Sequence, residues 1–251
     1  MNNSKQKPPK KHHQKMCRNS SICKNILRIQ EKILKAQEKT GQNQPVTIVG
    51  VTKTHPPETV SLAIAAGLTH IGENRVQEAE NKFFKIENDK SVIKHMIGHL
   101  QSNKVKKAVN LFDRIDAVDS LKLAENISKN AQKLNKTIPV LLEINMSEEN
   151  QKHGFDKKEI DNVLACLEKK NLKAEGLMTI GPHTKNEQKI RAAFSGLKRI
   201  LDRVNLQLPS GHKSLTTLSM GMSGDYLIGV EEGSTMVRIG TAIFGARQIY
   251  L

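Results

Sequence analysis

The amino-acid sequence predicts an α/β fold, a single (β/α)8 TIM-type barrel with an extra N-terminal helix. Eight short apolar runs rich in β-branched residues recur along the chain, and each is followed by a helical stretch or a short helical piece. Only twelve residues follow the last run, which ends at Ile239, so no second domain is expected. Strands that alternate with helices pair in parallel and are buried on both faces, which suits a closed barrel. A doubly wound open sheet would read the same way in sequence.

In chain order, Ile22, Ile26, Leu27, Ile33 and Leu34 fall near helical spacing between Ser21 and Lys39, predicting an amphipathic helix against the barrel. The run Val46–Val51 is the first strand, and Pro56-Pro57 opens a helix that Gly67 closes. Further strands are predicted near His70–Gly72, His95–Ile97 and Arg114–Ala117, each leading into a helix: Val76–Ile86, Ser102–Leu111 and Ser120–Leu134. Ile138–Ile144 is the clearest buried strand, and a helix over Asp156–Lys169 takes Asp156 as its cap. Leu172–Met178 is a strand and Glu187–Val204 a long helix. Leu215–Ser219 and Met236–Ile239 complete the set, separated by a short helical piece from Asp225.

Composition narrows the classes. With 37% apolar residues, 3% aromatic and no Trp, the core must be built from Leu, Ile, Val, Ala and Met. No run approaches the apolar length a membrane helix needs. Cys17, Cys23 and Cys166 have no metal-ligand spacing, which points to a reducing compartment, the cytoplasm. The net charge is +15, and residues 1–24 hold seven Lys and Arg and no acid. Residues 1–20 therefore read as a basic, disordered tail, and 21–251 as the barrel domain. The tail lacks the apolar segment of a signal peptide and the arginine content of a transit peptide. No aromatic residues interleave its charges to stack bases, so a nucleic-acid partner is not expected.

In such a barrel the chemistry sits where strands end. Lys53 follows the first strand, Glu73, Asn74 and Arg75 the second, and His99 and Gln101 the third. Asn145 ends the fifth strand, Thr179 the sixth, and Ser219, Ser223 and Arg238 belong to the last two. Most lysines are simply solvated. One fed by an all-apolar strand into a barrel mouth can lose hydration and present the neutral amine that attacks an aldehyde. The segments Ser219–Asp225 and Gly233–Thr241 carry Gly, Ser and Thr after the last two strands, the usual phosphate site of this barrel. They could equally be two glycine turns. His95 and His99 lack the Glu of a zinc-protease helix, and no metal site is expected. The pairs Glu148-Glu149 and Glu231-Glu232 read as solvated surface, and Cys166 as helix packing.

The motifs Thr52-Lys-Thr54, Gly72–Glu78, His95–Lys104, Gly176–Thr179, Leu218–Ser223 and Val237–Gly245 occur in order. Over about Val46 to Arg247 the chain resembles the YggS/PROSC family of pyridoxal phosphate (PLP) homeostasis proteins. The resemblance implies a barrel related to the N-terminal domain of bacterial alanine racemase, with PLP held as a Schiff base on Lys53. It implies further cofactor contacts from Asn74 and Met220, phosphate contacts from Ser223, Gly240 and Thr241, and Arg238 facing the pyridine nitrogen. An arginine there keeps the ring unprotonated and a poor electron sink. Racemases of this fold add an acid–base Tyr from a partner subunit, with a further β domain. The implied role is a cofactor carrier without significant turnover, acting as a monomer and serving PLP-dependent apoenzymes. A small racemase-like PLP enzyme is the alternative. Where the family usually has Trp-His-Phe-Ile-Gly, this chain has Lys94-His-Met-Ile-Gly98, which is expected to alter aromatic support near the cofactor.

Overall fold

The protein is seen in a computed structural model that describes residues 20–86, 91–147, 153–208 and 211–246. The tail up to residue 19 and the Glu148-Glu149 pair lie outside the described residues.

Helix α1 (Ser21–Thr40) comes first. The Ser20 hydroxyl accepts from the Cys23 N–H at 3.2 Å, capping a first turn whose amides lack helical partners. Gly41 ends the helix in the left-handed region, at φ 68°. Ile22, Ile26, Ile29 and Ile33 are buried at spacings of four, three and four, one stripe of the helix. Leu27 and Leu34, read above as part of that face, are 55% and 59% exposed, one step round from the stripe.

The strands are β1 (Thr47–Val51), β2 (His70–Glu73), β3 (Ile93–Met96), β4 (Arg114–Val118) and β5 (Ile138–Asn145). After the short β6 (Phe155–Asp156) come β7 (Leu172–Met178), β8 (Thr217–Met222) and β9 (Met236–Ile239). Every pairing is parallel, and the ring runs β1–β2–β3–β4–β5–β7–β8–β9 and back to β1. This is a closed eight-stranded barrel, and the β4–β5 pairing excludes the open-sheet alternative.

Around it lie α2 (Pro57–Ala65), α3 (Val76–Phe83), α4 (Val105–Leu111) and α5 (Leu121–Lys133). They are followed by α6 (Ile160–Leu167), α7 (Glu187–Leu206), α8 (Tyr226–Glu231) and α9 (Thr241–Phe244). Asp156 does not cap α6. Phe155, 2% exposed, draws this segment onto the end of β5, where Phe155 and Asp156 pair with Ile144 and Asn145. The helix begins four residues after Asp156, with Glu159 before its first turn.

Strand alternation, reset in β4 by an irregularity between Ile115 and Val118, sorts the side chains into two layers. Ile71, Met96, Ile115, Leu142, Leu177, Leu218, Met220 and Val237 pack outward against the helices. Val49, Ala117, Leu141, Met178 and Met236 form a separate cluster inside the barrel. Met96 therefore belongs to the sheet–helix layer, and its exchange for the family's Phe falls there. Lys94, on the same outward parity, lies with its ammonium 5.5 Å from the centroid of the Phe83 ring.

Glu231 and Glu232 are not free surface charges. Arg191 of α7 bonds both, at 3.0 Å to Glu232, and Lys39 of α1 reaches Glu231 at 2.8 Å.

Strands β7 and β8 touch so closely that a Cβ at Gly176 would sit 1.9 Å from the Thr217 carbonyl oxygen. Gly176→Ala must push backbone apart and is expected to cost about 1–3 kcal/mol or more. Urea unfolding measures it, and a loss under about 0.5 kcal/mol would contradict this packing.

Candidate functional site

A parallel barrel brings all its strand C-termini to one end. A cavity of about 230 Å³ opens there, bordered by Asn74, His99, Glu143, Asn145 and Thr179. A larger one, about 480 Å³, lies under α1 beside Thr47 and His70, at the strand N-termini and away from these groups.

Lys53 is half-buried in the turn directly after β1. Its neighbours are held from outside the barrel. Thr52 donates from its N–H to Gly72 O at 3.0 Å and from its hydroxyl to the Glu73 carboxylate at 2.6 Å. The Lys82 ammonium of α3 donates to Thr52 O at 2.6 Å, pairs with Glu73, and reaches Glu78 at 3.0 Å. Glu78 in turn accepts from the Thr54 N–H. Thr54 has φ 66°, a left-handed conformation that costs a β-branched residue about 1–2 kcal/mol. Burial pushes the Glu73 carboxyl up, and the Lys82 ammonium works against that.

Arg238 is 4% exposed and points into the barrel from β9. It donates to Ser219 O at 2.8 Å, to the Ser219 hydroxyl at 2.6 Å and to Thr179 O at 2.7 Å. Burial lowers its affinity for the proton, opposed first by the nearby Glu143. An arginine remains a cation regardless. Burial also pushes the Glu143 carboxyl up to about 7, against the pull of Arg238 and helped by the negative Asp119.

At the last two strand ends, the Ser223 hydroxyl accepts from the backbone N–H groups of Gly240 and Ala242, each at 3.2 Å. Two amides and a hydroxyl thus converge beside β9, a donor set that fits a phosphate. Thr241, exposed, stands between those two amides. Met220 is fully buried in the outer layer, so it can offer the mouth only backbone. Asn74 borders the cavity beside Gly98, whose Cβ would meet Asn74 O at 2.6 Å. Arg75 and Gln101 are exposed at helix starts.

Deeper in the barrel, His95 bonds Asp116 at 2.6 Å through Nδ1 and His70 at 2.9 Å through Nε2. Arg114 ties Asp116 to Glu175, at 2.7 and 2.9 Å. Burial favours a protonated Asp116, but His95 and Arg114 hold its carboxyl down at about 2. Burial and the adjacent His95 bring His70 down to about 4.

Sequence reasoning missed Lys82, Glu143, Asp116 and Asp119. The signal for Glu143 was present: it shares inward parity with Leu141, two residues before the end of β5.

The alanine racemase N-terminal domain family matches residues 25–248. A pyridoxal phosphate homeostasis protein of Aquifex aeolicus is 37% identical over 230 residues, 91% of this chain and 99% of that one. That of Escherichia coli K12 is 35% identical over 240 residues, covering 91% and 97%. A structure of PipY from Synechococcus elongatus with PLP bound superposes with TM-score 0.78 at 32% identity, covering 89% of this chain and all of that one.

Glu143 gives the site a measurable pH signature. Its carboxyl ionises at about 7 when folded and at 4.5 ordinarily, so the folded state holds the extra proton between these values. Its contribution to stability therefore falls as pH rises through that window. Glu143→Gln is expected to stabilise the protein by about 1–3 kcal/mol at pH 8 relative to its effect at pH 4.5. Denaturant midpoints at the two pH values check this, and an equal effect at both would contradict it.

Proposed function

The chain belongs to the family of pyridoxal phosphate homeostasis proteins built on the alanine racemase N-terminal domain, and from that premise we propose that Lys53 carries its cofactor. The protein binds PLP and serves its homeostasis, holding the cofactor rather than turning over a substrate. What chiefly supports Lys53 is its place directly after β1, in a turn whose flanking residues Thr52 and Thr54 are tied to Lys82 and Glu78. A lysine so held stays within reach of the barrel mouth.

The other contacts follow from donor chemistry. The Ser223 hydroxyl and the amides around Gly240, Thr241 and Ala242 suit the phosphate. Arg238 suits the ring nitrogen, because a group with donors only needs an acceptor opposite it. Asn74 borders the cavity at the strand C-termini, and Met220 contributes through its backbone. When bound, PLP supplies an aldehyde to the lysine and an electron-withdrawing ring.

A racemase reading needs a second proton-transfer group across the ring. Tyr226 is buried, with the Arg28 side chain of α1 among the charges acting on it, so it serves the outer packing. Tyr250 lies outside the described residues. Cys23 and Cys166 are free thiols, and among the described residues no helix is long and apolar enough to cross a membrane. Both support a cytoplasmic protein. We infer that it acts as a monomer, and that PLP-dependent apoenzymes receive its cofactor.

The test is optical. Purified protein loaded with PLP is expected to show a visible band that borohydride bleaches, and Lys53→Ala to lack it. An undiminished band in Lys53→Ala would overturn the assignment.

A further inference from the structure

One group of side chains at the barrel mouth is not used by the cofactor reading. His99 follows β3, Asp119 follows β4, and His153 precedes β6, so three neighbouring strand ends deliver them to one place. His99 Nδ1 lies 2.7 Å from Asp119 Oδ2, and His153 Nδ1 lies 3.9 Å from the same oxygen. One ligand atom from each residue lies within 4.8 Å of the other two. The two imidazoles are stacked, with centroids 3.8 Å apart and planes at 9°.

We propose that His99, Asp119 and His153 form a binding site for a late first-row divalent metal ion such as zinc. Imidazole nitrogen is the borderline donor that such ions take and calcium or magnesium do not, and zinc also accepts a carboxylate oxygen. A tetrahedral zinc with bonds of about 2.0–2.2 Å separates its ligand atoms by roughly 3.3–3.6 Å. The observed 2.7 and 3.9 Å bracket that separation. Rotation of the imidazoles out of their parallel stack brings both ring nitrogens to one ion. Three protein ligands leave a fourth position open, as in a catalytic-type zinc site, and His99 and His153 both line the cavity.

The supporting structure is rigid where it must be. Asp119 is only 10% exposed, and its other oxygen accepts from the Ser120 hydroxyl at 3.2 Å. Ser120 itself caps α5. Gly154, at φ 117°, packs against Asn145 N at the end of β5 and sets the chain direction just after His153. A side chain there would meet that nitrogen at 2.8 Å, so the left-handed turn that presents His153 needs glycine. The imidazoles stay accessible, at 40% and 58% exposure, as an exchangeable ion requires.

The site does not depend on the Lys53 assignment, and the experiment separates the two. Zinc is titrated against a chromophoric chelator into untagged full-length protein carrying His12→Ala, His13→Ala and Cys17→Ala, which removes other candidate ligands in the tail. One equivalent of zinc is expected to bind, and His153→Ala or Asp119→Asn to weaken it by about tenfold or more. His153→Cys, which restores a zinc donor, is expected to recover most of the affinity. His153 is more than half exposed and Asp119→Asn keeps the side-chain shape, so these variants are expected to fold, as circular dichroism would show. Lys53→Ala is expected to leave zinc binding unchanged. Failure of the parent protein to compete for zinc, equal affinity in His153→Ala and Asp119→Asn, or loss of binding in Lys53→Ala would each overturn the proposal.

Discussion

Closing a parallel sheet into an eight-stranded ring puts every other side chain into a narrow interior. That interior has room for one small apolar cluster, made by Val49, Ala117, Leu141, Met178 and Met236. Near the strand C-termini the same inward parity falls on Glu143, Ser219 and Arg238. These polar groups are buried because the ring is closed, and they stay folded in because each hydrogen-bonds or faces an opposite charge. Arg238 is the clearest case, with its guanidinium bonded to Ser219 and Thr179. Residues from β7, β8 and β9 thereby converge on one cation.

The same closure explains how a flexible lysine can be held at the mouth. Thr52 faces outward, where Glu73 and Lys82 form an ion pair with side chains 0% and 6% exposed. A charge pair this deep contributes little net stability after desolvation, but it fixes the backbone of the residue before Lys53. Glu78 does the same for the residue after it. The device resembles a clamp on two sides of one residue. Its positions are set by β2 and α3, whereas Lys53 belongs to the β1 turn.

The barrel was legible because apolar β-runs and intervening helices repeat eight times, a signal that tolerates errors at any one boundary. All eight strand centres read from the sequence are strands in the structure. What failed was local and tertiary. Asp156 looked like a cap, but burial of Phe155 makes it part of a bridge to β5. Met220 and Met96 sit beside polar motif residues in sequence, yet strand parity turns them outward. The groups that hold the backbone beside Lys53 were invisible, because Lys82 lies thirty residues from Thr52 and reads as one of many helix lysines. Likewise His153 and Asp119 meet only through the barrel.

How far Lys53 differs from the other lysines near the mouth is a question of where a covalent cofactor resides. Protein loaded with PLP, reduced with borohydride and digested, can be mapped by peptide mass spectrometry. The pyridoxyl phosphate adduct is expected almost entirely on the peptide containing Lys53. An adduct concentrated on any other lysine, or spread evenly among exposed ones, would contradict the reading.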